Sequence, residues 1–100
     1  MREIPLAPIP DQSFQIRLTQ TLYNMRIFLA NNVMCCDLSI NAIPILSSQR
    51  IVSGSLIIPY KYLENGNFII TTLNDELPNY QQFGATQFLI FYTPDDLLNG

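Results

Sequence analysis

Carboxylates are the main side chains in this sequence that could carry out acid–base chemistry, because the 100 residues include no histidine. A pair of carboxylates can transfer protons when a cleft sets their two pKa values apart. The best-placed pair is Asp75 and Glu76, which are adjacent in a long predicted loop and could also offer oxygen ligands to Ca²⁺. The loop lacks the spaced oxygen ligands of a known calcium loop, so we expect both acids to be solvated.

The sequence also lacks the motifs of an activated nucleophile and of a phosphate-binding loop. No serine stands in a G-x-S-x-G turn, and without histidine the serines lack their usual activating base. The glycines are too scattered to form a phosphate loop. Five basic residues against eight acidic ones give a net charge of −3, without the basic stripe of a nucleic-acid surface. The sequence therefore predicts that the protein is not an enzyme, with no catalytic residues, no cofactor, no metal site and no nucleic-acid binding.

The two cysteines, Cys35 and Cys36, are adjacent and have no third cysteine to meet. Neighbours in a strand point to opposite faces, so one is expected in the core and the other on the far side. A disulfide between them would need strained geometry. We interpret both as reduced packing residues.

The first half of the chain shows the alternation of half-buried strands. Phe14, Ile16 and Leu18 alternate with polar residues, and two further alternating segments follow. The turn pair Asn31-Asn32 separates these two segments, and Asn41-Ala42 ends the second of them and leads into an apolar run. This pattern predicts a meander of three to four antiparallel strands.

The second half is less regular. Gly54 marks a turn, Pro59 demotes the preceding apolar run to a sheet edge or strand end, and Asn65-Gly66 is a hairpin signal. A strand over 68–73, a long loop over 74–85 and a strand over 86–92 follow. Because Phe88 to Tyr92 is apolar at every position, that last strand is expected to be central or covered on both sides.

A short helical turn is predicted at the end, with Thr93 as N-cap and Pro94 at the first helical position. The fold class is therefore all-β: a single small antiparallel β-sandwich or barrel of about seven strands with a short C-terminal helical turn. Pro5, Pro8 and Pro10 predict an extended, proline-rich N-terminal arm over residues 1–12 that precedes a single β domain over 13–100.

Low charge and many aromatic residues point to a protein partner. Only 13% of residues are charged, 11% are aromatic, and the mean hydropathy is +0.17. No apolar stretch approaches the ~20 residues of a membrane helix, and the first residues do not read as a secretory leader. Apolar residues between the prolines and aromatic residues of the second half are the predicted interface candidates. They are Ile4, Leu6, Ile9, Tyr60, Tyr62, Tyr80 and Phe83.

The order of several segments resembles a known family. The resemblance rests first on the opening Ile4-Pro5-Leu6…Pro10-x-Gln12-x-Phe14. It continues in the middle segments Leu56-Ile57-Ile58…Tyr62 and Gly66-Asn67-Phe68-Ile69-Ile70. It ends with Asp75…Pro78-x-Tyr80, Phe83-Gly84 and Phe88-Leu89-Ile90-Phe91-Tyr92. Together they resemble the small baseplate plug proteins of contractile-tailed bacteriophages. The resemblance covers nearly the whole chain at the family's usual length.

The resemblance implies a structural subunit of the phage tail baseplate that acts by protein–protein assembly and is made in the host cytoplasm. Its expected partners are other baseplate, hub and tail proteins, together with copies of itself in a symmetric ring. We expect the proline-rich arm and the loop over 74–85 to make the contacts. The alternative is a free-standing β-sandwich module that binds a glycan or peptide on Tyr60, Tyr62 and Tyr80.

Overall fold

The computed structural model describes residues 1–18, 20–58 and 66–99. It contains seven strands and one short helix: β1 (Arg2–Ile4), β2 (Asp11–Leu18), β3 (Thr21–Ala30), β4 (Val33–Ile40), β5 (Ile43–Arg50), β6 (Asn67–Thr72), β7 (Gln87–Tyr92) and α1 (Pro94–Asn99). Two single turns of 3₁₀ helix, Leu73–Asp75 and Tyr80–Gln82, lie between β6 and β7. Asn65 of the predicted Asn65-Gly66 hairpin lies outside the described residues, and Gly66 lies within them. Tyr60 and Tyr62 both lie outside the described residues.

The larger sheet is a four-stranded antiparallel meander in the order β2-β3-β4-β5. Its two-residue turns need positive φ at both central positions, and Asn31 (φ 51°), Asn32 (φ 66°), Asn41 (φ 50°) and Ala42 (φ 69°) supply it. Strand pairing continues up to both turns, with Ala30 opposite Val33 and Ile40 opposite Ile43. The predicted meander is confirmed and has four strands.

The smaller sheet has three antiparallel strands in the order β1-β7-β6. The apolar strand β7 is its central strand, as the sequence predicts. Arg2 pairs with Phe91 and Ile4 with Leu89, so residues 2–4 join the last strand of the chain. Within the described residues the two sheets face each other as a sandwich and neither closes into a barrel.

The core lies between the two sheets and is centred on three aromatic rings. Tyr23 of β3 packs edge-on against Phe68, with ring centroids 5.1 Å apart, and contacts Phe91 at 5.8 Å. Burial raises the pKa of the Tyr23 hydroxyl to about 12. Burial likewise raises the pKa of the Cys36 thiol to about 12, with smaller contributions from Asp37 and Cys35. The Cys36 thiol is therefore protonated at neutral pH and acts as a small apolar side chain.

The C-terminal helical turn is capped as the sequence predicts. The Thr93 Oγ1 accepts a hydrogen bond from the Asp96 N–H at 3.1 Å, and Asp96 Oδ2 accepts one from the Thr93 N–H at 3.0 Å. Asp96 also accepts a hydrogen bond from the Met1 ammonium at 2.6 Å, which lowers the pKa of its carboxyl to about 2. Across the described residues, no helix is long and apolar enough to span a membrane.

Candidate protein–protein interface

Two irregular segments, residues 5–10 and the loop 73–86, lie at the end of the sandwich that carries the β3–β4 turn. The Leu29 N–H near this turn donates a hydrogen bond to the Pro10 carbonyl at 2.8 Å. A Cβ atom built on Gly84 would lie 3.6 Å from the Leu6 carbonyl oxygen, so the two segments are neighbours. We call this region, residues 5–10, 29–32 and 73–86, the loop end. The arm and the aromatic loop, predicted as separate contacts, are thus brought together.

The N-terminal segment is fixed to the domain by Gln12. The Gln12 amide donates to the Ala7 carbonyl at 2.7 Å and accepts from the Ala7 N–H at 3.0 Å, which imitates a strand pairing. Ile9 beyond it is 44% exposed. The segment therefore presents one apolar side chain from a backbone that is already held in place.

An open hollow of about 370 Å³ lies at the loop end. Its lining is mixed apolar and amide: Leu29, Asn32, Leu77, Pro78, Asn79, Tyr80 and Gln81. The leucines here are unusually open to solvent, with Leu77 70% exposed and Leu73 57% exposed. Large apolar side chains grouped in this way mark interaction sites more often than scattered ones do.

Gln87 at the start of β7 holds the loop in its shape. Its side chain is fully buried, and its Oε1 accepts from the Asn79 N–H at 2.7 Å while its Nε2 donates to the Leu77 carbonyl at 2.9 Å. Asn79 in turn caps the following 3₁₀ turn, accepting from the Gln81 N–H at 3.0 Å. The Leu77 side chain is therefore exposed on a backbone that is already ordered, and this reduces the entropy lost on binding.

The role of Gln87 predicts a measurable loss of order. Gln87→Leu would leave the Asn79 N–H and the Leu77 carbonyl without their buried partner, at a cost of about 2–3 kcal/mol. We expect a matching fall in the free energy of unfolding and faster amide hydrogen exchange at Asn79. Gln81→Leu, an exposed glutamine in the same loop, is the control and should change stability by less than about 0.5 kcal/mol. Equal effects of the two substitutions would contradict this role.

The predicted interface residues divide by exposure. Ile4 and Phe83 are each 3% exposed and belong to the core, so in the isolated fold they offer no surface to a partner. Leu6 and Tyr80 are half-buried and pack against the core, which leaves one side of each accessible. Ile9 is exposed, whereas Tyr60 and Tyr62 lie outside the described residues. Sequence reasoning missed Leu73, Leu77 and Gln87.

The loop acids Asp75 and Glu76 are exposed between Leu73 and Leu77. Within residues 1–18, 20–58 and 66–99, neither forms an ion pair. No cluster of three or more potential metal-ligating His, Cys, Asp or Glu side chains occurs in the same part of the chain. The two acids form a charged rim beside the exposed leucines.

The outer face of the larger sheet carries a second open hollow of about 450 Å³, lined by β2, β3 and β4. Arg26 dominates it, donating to both oxygens of Asp11 at 3.0 and 2.7 Å and lying 3.9 Å from Asp37. The hydrogen bond from Arg26 lowers the pKa of the Asp11 carboxyl. The guanidinium also stacks over Phe28 at 4.3 Å. Two acids thus pair with this cation, and the lining of the hollow mixes polar side chains such as Asn24 with the apolar residues Phe14 and Met25.

A match to a protein family indicates the kind of protein to which these surfaces belong. Residues 1–95 match the family described as cyanophage baseplate Pam3 plug gp18. The chain belongs to this family. No curated protein matches the chain. Membership of the plug family confirms the resemblance seen in the sequence and indicates a phage tail baseplate plug subunit, a structural component of the virion.

Proposed function

We propose that this plug-family chain acts by assembly, joining other baseplate, hub and tail proteins through its loop end. The observation that carries the proposal is the family match over residues 1–95, taken together with Leu73 and Leu77 exposed on one ordered loop. The protein is made in the host cytoplasm and incorporated into the tail baseplate. Copies of the chain form a symmetric ring whose contacts close on themselves.

The chemistry of the surface favours apolar contacts between subunits over ion pairs. Each copy carries a net charge of −3, so neighbouring copies repel one another weakly at low salt. Exposed ion pairs contribute about 0–1 kcal/mol each, whereas burying a leucine side chain contributes about 1.5–3 kcal/mol. Leu77 and Ile9 on the loop end are therefore the expected anchors.

Assembly rather than turnover is the function that the residues support. The plug family is structural, and general acid–base chemistry lacks histidine in this chain. The alternative of a glycan- or peptide-binding module gains no support from the family match. Of the tyrosines proposed for it, Tyr80 packs against the core with one side accessible.

The test is incorporation into baseplates assembled in cells from the full set of tail genes. Leu77→Asp should reduce the amount of the subunit in purified baseplates by more than about tenfold, since it places a charge in a desolvated contact. Ile9→Asp tests the N-terminal segment in the same way. Because both side chains are exposed, the free energy of unfolding of each isolated variant should stay within about 0.5 kcal/mol of the parent.

Ile43→Asp is the matched control. Ile43 is 63% exposed but follows the β4–β5 turn, at the opposite end of the larger sheet from the β3–β4 turn. This variant should incorporate normally. Normal incorporation of Leu77→Asp and Ile9→Asp together would overturn the assignment of the loop end as the assembly surface.

A further inference from the structure

In the part of the chain that the structure describes, the sandwich has four sheet edges, and three of them are protected against pairing with another chain. Strand β1 is only three residues long. The outer edge of β6 is covered by the segment before it, with Gly54 N–H donating to the Ile70 carbonyl and Ile57 N–H to the Phe68 carbonyl, each at 2.9 Å. Short length and a covering segment are both devices that keep edges from aggregating.

Strand β5 is protected by irregularity. Pro44 removes one backbone donor, and the pairing with β4 shifts register on both sides of Leu38. At the irregularity, Asp37 Oδ1 accepts a hydrogen bond from the Ser48 N–H at 2.6 Å. A regular partner strand could not follow this edge along its length.

Strand β2 has none of these protections. It is eight residues long, contains no proline, and pairs with β3 in unbroken register from Asp11 to Leu18. The Leu29 N–H donates to the Pro10 carbonyl, so Pro10 faces β3, and by alternation the even-numbered residues of β2 do as well. The backbone groups of the odd-numbered residues therefore point away from the sheet. No described strand pairs with them.

We propose that the free edge of β2 pairs antiparallel with β2 of a second copy of this chain, about a two-fold axis at Phe14. In this register Phe14 lies opposite Phe14 of the second copy, and residues 13 and 15 lie opposite each other. Asp11 of each copy lies opposite Arg17 of the other. The odd-numbered pairs exchange backbone hydrogen bonds, and the Phe14 pair takes the closer, non-hydrogen-bonded spacing that suits aromatic contacts.

Charge complementarity selects this register. Arg17 is exposed and, among the described residues, has no ion-pair partner. Asp11 is 53% exposed and binds Arg26 through one hydrogen bond to each oxygen, so its carboxylate retains acceptor capacity. The pairing thus brings two unlike charges together twice, once on each side of the axis.

Other registers lose these matches. A shift by one residue places Phe14 opposite Gln15 and turns apolar side chains toward polar ones. A shift by two residues places Asp11 opposite Gln15, or Ser13 opposite Arg17, and forms no ion pair. The two-fold register therefore combines the apolar contact with both ion pairs.

A contact of this kind closes on itself and joins two copies, so it is separate from a ring contact and from the loop end. It joins two four-stranded sheets edge to edge. It covers the one regular edge that the described fold leaves open.

The mass of the purified chain in solution, measured by sedimentation over a range of concentrations, tests the pairing. We expect a species of twice 11.4 kDa that dissociates on dilution and weakens with added salt. Arg17→Glu places Glu opposite Asp11 twice and should raise the dissociation constant by about tenfold or more. Arg50→Glu makes the same charge change on the exposed side chain at the end of β5 and should leave the constant within about twofold.

Cross-linking tests the register. Phe14→Cys places two thiols in a non-hydrogen-bonded pair with Cα atoms about 4.5 Å apart, which a disulfide can bridge, so mild oxidation should yield a covalent dimer. Ser13→Cys places its two thiols on diagonal positions with Cα atoms about 7–8 Å apart and should cross-link far less. A chain that stays monomeric at all concentrations, or a dimer that Arg17→Glu leaves unchanged, would overturn the proposal. Normal baseplate incorporation of Arg17→Glu is expected, so failure here leaves the proposed function standing.

Discussion

Gly66→Ala is expected to lower the free energy of unfolding by about 3 kcal/mol or more. A Cβ atom on Gly66 would lie 2.6 Å from Phe91 Cζ and 2.8 Å from the Tyr92 carbonyl oxygen. Phe91 cannot move aside, because its ring is packed between Tyr23 and Phe68 at centroid distances of 5.8 and 5.2 Å. Gly66 also adopts φ +95°, a conformation that side-chain-bearing residues rarely reach.

Gly54→Ala separates the steric part of this loss from the part that is due to the positive φ. Gly54 has φ +75°, but a Cβ atom there would have no neighbour within 4 Å. Its replacement should cost only the conformational part, about 1 kcal/mol. Urea unfolding of both variants measures the difference. Equal losses would show that Gly66 is not packed against the Phe91 ring.

The local parts of the fold could be predicted from the sequence because their signals lie within a few residues. Asn31-Asn32 and Asn41-Ala42 separate alternating segments, and the structure places two-residue turns with positive φ at both. Thr93 and Pro94 likewise identify the start of α1. Each signal depends on backbone conformations that only certain residue types favour.

The pairing of β1 with β7 could not be predicted in this way. Arg2 and Phe91 are partners across almost the whole chain, and such long-range contacts leave no trace in local periodicity. With Ile4 as its single buried residue, β1 shows no alternating pattern, and the prolines after it favour an extended arm. The sequence therefore identifies an extended segment but not the sheet edge that it occupies.

Which residues of the loop end are exposed could not be predicted from the sequence. Aromatic residue type alone does not distinguish a core side chain from a surface one, and Phe83 is buried whereas the neighbouring Leu77 is exposed. Gln87 hydrogen-bonds to the Leu77 carbonyl and the Asn79 N–H, and in the backbone held this way the Leu77 side chain is 70% exposed. In the sequence, Gln87 is only a polar residue before an apolar strand, and nothing nearby indicates that its side chain hydrogen-bonds to the loop backbone.

Asn67→Leu is expected to lower the free energy of unfolding by about 3 kcal/mol or more, because Asn67 plays the same bracing role at the other irregular segment. Its fully buried Oδ1 accepts from the Ile58 N–H at 2.9 Å and the Phe68 N–H at 2.7 Å, and its Nδ2 donates to the Ile58 carbonyl at 2.8 Å. Leucine has a similar volume but leaves three buried backbone groups unpaired. Urea unfolding measures the loss.

Asn67→Asp gives a sharper test of the same geometry, since one carboxylate oxygen would face the Ile58 carbonyl where the amide now donates. The Ile58 and Phe68 N–H groups favour the carboxylate, but full burial without a counter-charge and the facing Ile58 carbonyl oppose it. We expect these opposing effects to prevail and to raise the pKa of this carboxyl in the folded state above its unfolded value of about 3.9. The variant is then expected to be most stable below that unfolded value, where the protonated carboxyl can donate to Ile58. Its stability relative to the parent should fall as the pH rises toward 7.

Asn79→Asp is the control for this pH dependence. Asn79 also accepts a backbone hydrogen bond through Oδ1, from the Gln81 N–H, but its side chain is exposed and caps a 3₁₀ turn. Aspartate caps as well as asparagine, so stability near neutral pH should stay within about 0.5 kcal/mol of the parent. If Asn67→Asp behaves like Asn79→Asp at pH 7, then Asn67 does not donate to Ile58, and the bracing of residues 57–58 against β6 must have another source.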